Sequence, residues 1–234
     1  GLLLECRRLD EARAETAAAI EFAKKTQSGL GLIHFYGCRA HLHLAAGDSD
    51  AAEAVLQRAD AIRQELQPVP WQVSVYLRSR AELDLYRLQE AVSQGRAAVQ
   101  RRWRKQAHGS CRALIRQSRM VAQFRTDACR LMGRYYWLAD HPQRALRWWR
   151  KALHRGPGAR IQIARTHFEI GRHLMAARSP SMALGGFDAP THLATARKEF
   201  EELNLIWDLK QLRGVTETRL SNASRLNVCD PAAS

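Results

Sequence analysis

The sequence predicts an all-α protein built as a right-handed solenoid of antiparallel helix pairs. The first observation is a recurring pattern in which a short polar turn precedes an alanine at the start of an amphipathic run, at Ala12, Ala52, Ala91 and Ala145. The second is the helical period of the apolar positions between these turns. The third is composition, because 46% hydrophobic residues with 14 glycines and 7 prolines suit a folded core rather than a disordered or fibrous chain.

The repeat pattern is similar to that of tetratricopeptide arrays, in which a helix pair cannot bury its apolar face alone and stacks on the next pair. A small alanine lets two helix backbones approach closely. The four alanines follow one another at intervals of 40, 39 and 54 residues, which exceed the roughly 34 residues of the commonest tetratricopeptide unit. We therefore expect one repeat domain over residues 1–221, with long helices and irregular insertions.

Turn and capping residues set the boundaries of the early helices. The predicted helices cover residues 9–25, 32–46, 51–66, 71–86, 88–105, 113–139, 142–156, 159–178, 191–203 and 206–221. Ser28 and Gly29 end the first of these, Gly47 closes the second, and Asp48 or Ser49 caps the third.

Prolines and glycines give the later boundaries. Residues 67–70 contain two prolines and predict a firm break, and Gly109 marks the next interruption. The stretch 113–139 is one long helix, or two with a kink near Gly133. Pro142 occupies a first-turn position, where proline is tolerated.

Two segments near the carboxyl end are predicted to be non-helical. Residues 179–190 are rich in serine, proline and glycine, and their Met182, Leu184 and Phe187 are apolar enough to fold back on the repeats. Residues 222–234 are small and polar, which predicts a flexible tail.

The positive charge is concentrated in one part of the chain. The net charge is +14, and residues 101–160 hold sixteen lysines and arginines against two acids, Asp127 and Asp140, so the rest is balanced. Such an excess on consecutive helices produces a positive surface and a long-range field for an acidic partner. The predicted contact patch, on a concave surface, consists of Arg116, Arg119, Arg147 and Arg150.

A nucleic-acid partner is the alternative interpretation of the same region. Aromatic residues are interleaved with its basic residues, at Trp103, Phe124, Tyr135, Tyr136, Trp137, Trp148 and Trp149. Rings and cations together suit base stacking and phosphate contact. The rings nevertheless fall at the spacing of core positions, where aromatics pack between helices. An acidic protein surface is therefore the preferred partner.

Enzyme and metal motifs are absent from the sequence. No GxxxxGK[ST], GxSxG or HExxH pattern occurs. His34, Cys38 and His41 share a helical face at a spacing that can bind zinc, but no fourth ligand is evident and packed side chains are the commoner outcome. We expect no catalytic residue, cofactor or metal in this segment.

Cysteine usage and hydropathy favour a cytoplasmic location. The five cysteines form no CxxC pair, which indicates reduced thiols rather than a disulfide or zinc framework. The chain has no run of 18 or more apolar residues and no secretion signal, so we expect no membrane association. It opens on Gly1 and three leucines without an initiating methionine, and we expect more protein to precede it.

Three segments carry a resemblance to a known group of proteins. Residues 139–153 (ADHPQRALRWWRKAL), 163–174 (IARTHFEIGRHL) and 192–209 (HLATARKEFEELNLIWDL) resemble the carboxy-terminal tetratricopeptide-like region of bacterial multidomain signalling ATPases. The likeness is greatest to proteins that join a class III adenylate or guanylate cyclase domain to an AAA-type ATPase module, and related tails occur in ATP-dependent LuxR-type transcription regulators. In these proteins ATP binding and cyclization belong to upstream domains. The resemblance therefore implies a non-enzymatic interaction or regulatory segment that contacts a partner protein or sister domain, or that self-associates.

Overall fold

The computed structural model describes residues 8–66, 70–154, 159–176, 184 and 186–227. Its α-helices are α1 (Leu9–Lys25), α2 (Gly29–Ala45), α3 (Ser49–Glu65), α4 (Pro70–Ser93), α5 (Ala97–Gln117), α6 (Arg125–Leu138), α7 (Pro142–Leu153), α8 (Arg160–Ala176), α9 (Ala189–Glu202) and α10 (Ile206–Asn227). A 3-10 turn at Ala122–Phe124 precedes α6. Within these ranges there is no strand, and the all-α class is confirmed.

The chain divides into two compact units, residues 1–163 and 164–234. In the first unit, helix pairs α2–α3, α4–α5 and α6–α7 follow one another, and α1 packs on α2. The first helix of each pair also contacts the first helix of the next, and α3 and α5 each contact the helix that follows them. Each pair thus shields part of its neighbour's apolar face, which one pair cannot bury alone.

Two apolar clusters form most of the core of the first unit. One lies among α2, α3 and α4 and includes Ile33, Leu56 and Leu83. The other lies among α4, α5 and α6 and includes Leu88 and Leu131. At roughly 25 cal/mol per Å² of buried apolar surface, these leucines and isoleucines supply the main driving force for helix packing.

Several local predictions are confirmed. Helix α1 has the predicted bounds, and Pro142 opens α7. Asp48 caps α3, since its side chain accepts a hydrogen bond of 2.9 Å from the Ala51 amide. Ser28 caps α2 by accepting from the amide of Gly31, so α2 begins at Gly29 rather than at residue 32.

The prediction of a turn before Ala91 is wrong. Helix α4 continues without interruption to Ser93, and the chain turns at Gly95, whose φ of +66° favours glycine. Ala91 is buried in the last turn of α4, and Gly109, the predicted interruption, lies inside α5. The misread segment YRLQEA consists mostly of good helix formers. The buried apolar positions of α4 continue through it and stabilise one long helix.

The predicted kink near Gly133 is also wrong. The break in the stretch 113–139 comes earlier, between Gln117 and the 3-10 turn that starts at Ala122. Gly133 lies within α6, directly against the indole of Trp149, whose Nε1 donates to the Arg130 carbonyl at 3.2 Å. The missing β-carbon lets α6 and α7 approach closely enough for the indole to reach that carbonyl.

The second unit contains α9, α10 and most of α8. Arg165 of α8 donates two hydrogen bonds of 2.9 Å to the Asp208 carboxylate of α10, and both side chains are buried. Helix α10 continues to Asn227, six residues into the predicted tail, and residues 228–234 lie outside the described ones. Of the loop over 179–190, Met182 lies outside the described residues, Leu184 is buried and Phe187 is half exposed.

Candidate functional site

Helix α7 separates its apolar and basic residues onto opposite faces. Its buried side chains are Ala145, Leu146, Trp149 and Ala152. Its basic side chains are all exposed, at Arg144, Arg147, Arg150 and Lys151. The three- and four-residue steps between the basic positions place them on the solvent side of the helix.

Helix α5 and the turn after it add a second row of exposed arginines. Arg112 and Arg116 are exposed on α5, while Cys111 and Leu114 are buried. Arg119 follows in the turn and is exposed as well. All the residues of the predicted contact patch therefore reach solvent.

A concave cavity of about 430 Å³ lies along α7. It is lined by Tyr136, Arg144, Arg147, Trp148, Arg150 and Lys151. The guanidinium carbon of Arg144 lies 5.7 Å from the centroid of the Tyr136 ring, and Lys151 Nζ lies 4.5 Å from that of Trp148. These cation–π contacts hold two of the positive groups in place at the cavity wall.

A second cavity, of about 390 Å³, adjoins the first. It is lined by Ile115, Ser118, Arg119, Arg125, Cys129, Trp148 and Lys151. Arg125 donates to the Ser118 carbonyl at 3.0 Å and to the Arg119 carbonyl at 3.1 Å, so its guanidinium is anchored to the end of α5. Trp148 and Lys151 belong to both cavities, and we call the two together the basic groove.

The basic groove includes most, but not all, of the predicted patch. Arg147 and Arg150 line the first cavity and Arg119 the second, whereas Arg116 lines neither. The groove also contains residues that the patch omitted: Tyr136, Arg144, Trp148, Lys151 and Arg125. The spacing of basic residues along α7 predicts that Arg144 and Lys151 lie on the same face as Arg147. Arg125 begins α6, after an interruption between helices that the spacing of apolar residues did not predict.

The part of the groove that the structure describes is positive. Among the described residues, no aspartate or glutamate lines either cavity. Arg116, Arg119, Arg147 and Arg150 make no ion pair with any described carboxylate. Arg130 in the same region differs, since it is buried and donates to Asp127 at 2.9 Å. The arrangement can bind an anionic group by charge-assisted hydrogen bonds, which guanidinium groups form bidentately with carboxylates.

The histidines and cysteine that share a face of α2 have separate partners. His41 Nδ1 lies 2.6 Å from Glu82 Oε2, and the His34 ring stacks on Trp71 at 6.4 Å between centroids. Cys38 is buried beside Leu42 and Phe124. In the part of the chain that the structure describes, no three His, Cys, Asp or Glu side chains are grouped to hold a metal ion.

Comparison with known proteins gives no match. No family model, curated protein or solved structure matches this chain. The described helices include none that is long and apolar enough to cross a bilayer. The geometry and charge of the basic groove are therefore the features that bear on function.

Proposed function

We propose that this chain is a protein–protein interaction module, a scaffold or regulatory segment of a signalling protein whose basic groove binds an acidic partner surface. The observation that carries the proposal is a groove lined by five arginines and a lysine, with no carboxylate in the lining that the structure describes. The serial packing of helix pairs supports a tetratricopeptide-like solenoid as its scaffold.

The charge distribution supports association rather than folding as the role of these arginines. Like charges on one surface repel, and that cost is relieved when an acidic partner covers them. A positive field also speeds the encounter with an acidic partner and disfavours basic ones. The proposed context follows from the resemblance to cyclase–ATPase tails, so the partner is a separate acidic protein or a sister domain of a longer polypeptide.

Nucleic acid is the second candidate, favoured by aromatic rings next to cations. Arg144 lies over the Tyr136 ring and Lys151 over the Trp148 ring, and Arg87 and Arg102 both lie within 5.4 Å of the centroid of Trp103. Trp137 packs on the buried ring of Trp149. Base stacking on these rings requires their present neighbours to move away. The cations over these rings therefore favour a protein partner. A nucleic acid would bind mainly through its phosphates.

Fluorescence anisotropy tests the proposal against the alternative. The probes are labelled polyglutamate, a single-stranded DNA and a short duplex, each titrated with the 234-residue chain at low and at physiological salt. We expect polyglutamate to bind and the Arg116/Arg119/Arg147/Arg150→Glu variant to lose at least about tenfold in affinity. Absence of polyglutamate binding at low salt overturns the proposal. Tighter binding of DNA, with a steep loss of affinity as salt rises, replaces it with the alternative.

A further inference from the structure

The two cavities of the basic groove meet at Trp148 and Lys151, which line both. A ligand that fills both cavities therefore passes over these two side chains. Each cavity, at about 430 and 390 Å³, is large enough for a few side chains. Both cavities are open along the protein surface, so an extended peptide can lie across the two in turn.

Cations lie on both sides of this junction. Arg144, Arg147 and Arg150 line the first cavity only, and Arg119 and Arg125 line the second only. The aromatic contacts of Arg144 and Lys151 and the carbonyl contacts of Arg125 hold these groups before a ligand arrives. Cations that are already positioned lose less conformational entropy on binding, which raises affinity for carboxylates.

The junction itself is apolar as well as basic. Trp148 is partly buried and packs against the apolar cluster of α4, α5 and α6, and Ile115 lines the second cavity. Purely acidic side chains leave these apolar walls uncovered. With Lys151 in place over the Trp148 ring, an apolar side chain between acidic ones covers Ile115 and the part of Trp148 that still borders the cavities, and removes that surface from water.

We infer that the basic groove recognises an extended acidic peptide in which an aromatic or aliphatic residue, seated at Trp148 and Lys151, lies between two acidic groups. The carboxylates on one side bind Arg144, Arg147 and Arg150, and those on the other bind Arg119 and Arg125. The inference rests on the proposed function, since it specifies the acidic partner of the same groove.

Arg116 provides a matched control. It is exposed, lies one residue before the end of α5 and three residues before Arg119, and carries the same charge as Arg119. It lines neither cavity. A diffuse electrostatic surface is weakened equally by the loss of Arg116, Arg119 or Arg147, whereas a groove is weakened only by the last two.

The experiment measures the anisotropy of a labelled short peptide with a phenylalanine between two pairs of glutamates, and of a matched peptide with serine in place of phenylalanine. Both are titrated with the wild-type chain and with Arg116→Ala, Arg119→Ala, Arg147→Ala and Lys151→Gln, each checked for native circular dichroism. We expect Arg119→Ala, Arg147→Ala and Lys151→Gln each to weaken the phenylalanine peptide about tenfold and Arg116→Ala less than about twofold. The serine peptide binds the wild type about fivefold more weakly, because it leaves the apolar wall uncovered.

The outcomes separate the two proposals. Equal losses for Arg116→Ala and Arg147→Ala, or equal affinity for the two peptides, overturn the extended-peptide inference while polyglutamate binding keeps the proposed function. Single-stranded DNA and unlabelled phenylalanine peptide are also compared as competitors, each counted by its concentration of negative charges. If DNA displaces the labelled peptide at the lower concentration, the inference is overturned in favour of a nucleic-acid groove. Absence of binding by both peptides and by polyglutamate overturns both.

Discussion

Arginines inside the first unit and arginines on its α5–α7 surface have opposite surroundings. Arg78 and Arg130 are 5% and 8% exposed, and both bond to the buried carboxylate of Asp127. Arg147 and Arg150 are exposed and form no ion pair with a described residue. The same residue type therefore has two kinds of surroundings: the interior arginines join helices to one another, and the surface arginines face solvent.

The interior arginines belong to a charged network that spans three helices. Glu82 of α4 lies with its Oε2 2.6 Å from Nδ1 of His41 in α2 and with its Oε1 3.4 Å from Nη2 of Arg130 in α6. Arg130 also forms an ion pair with Asp127. These helices are the first members of successive pairs and contact each other in order. Because the charges in the network are buried or, at Glu82, largely buried with their partners, a shift of one helix along another separates charges that water solvates poorly.

The largest expected effect comes from Asp127→Asn. The change leaves Arg78 and Arg130 buried with reduced compensation, and we expect the free energy of unfolding to fall by about 3–5 kcal/mol. Urea denaturation followed by circular dichroism measures it. Asp140→Asn is the matched control, since Asp140 is exposed at a positive φ of 64°, which asparagine tolerates, and should change stability by less than about 0.5 kcal/mol. Equal effects of the two changes contradict the distinction between interior and surface charges.

The next largest effect concerns the contact between α6 and α7 that presents the groove. A β-carbon at Gly133 collides with the Trp149 indole, so we expect Gly133→Ala to cost about 1–3 kcal/mol. Gly109→Ala is the control, because Gly109 is exposed inside α5 with no atom near its β position, and this change should stabilise by about 0.5–1 kcal/mol. Thermal denaturation distinguishes the signs. If Gly133→Ala leaves the melting temperature unchanged, α6 and α7 can move apart at little cost in stability.

Acid should weaken the interior network by protonating its carboxylates, whereas the surface arginines keep their charge. Burial of Glu82 acts to raise its pKa, but His41, Arg78 and Arg130 outweigh it and hold the pKa well below the ordinary value of 4.5. The unfolded chain therefore binds the proton first as the pH falls, and the stabilisation by ionised Glu82 is present above about pH 4.5 and lost below it. Unfolding free energies measured between pH 7 and pH 3 should decline less steeply for Glu82→Gln than for the wild type. If the two curves of unfolding free energy against pH are parallel, ionised Glu82 does not contribute to the pH dependence of stability.

The smallest effect belongs to the groove arginines. Arg147→Ala and Arg150→Ala remove exposed side chains without ion pairs, so the free energy of unfolding should change by less than about 0.5 kcal/mol. Thermal melts of the two variants beside Asp127→Asn measure the contrast directly. A loss above about 2 kcal/mol would assign these arginines a role in folding and would weaken the case for a binding surface.

Local signals explain which elements were predictable. The Asp48 cap, the start of α7 at Pro142 and the bounds of α1 depend on residues within one or two helical turns of each other. The predicted turn before Ala91 is wrong because the buried face of α4 continues through Leu85, Leu88 and Ala91, which keeps the segment in one helix. The four arginines of the predicted patch are exposed, but the exclusion of Arg116 from the groove depends on how α5, α6 and α7 meet.

The amino-acid order alone determines the helical class, the caps and the concentration of positive charge in residues 101–160, because propensity, period and charge are properties of neighbouring residues. Tertiary packing decides which arginines are buried and paired with a carboxylate inside the protein. Arg78 meets Asp127 across 49 residues of sequence, and Trp148 and Lys151 join two cavities only because α5, α6 and α7 lie together. Such contacts arise when apolar faces are buried against one another, and no local pattern specifies which side chains that burial brings within reach.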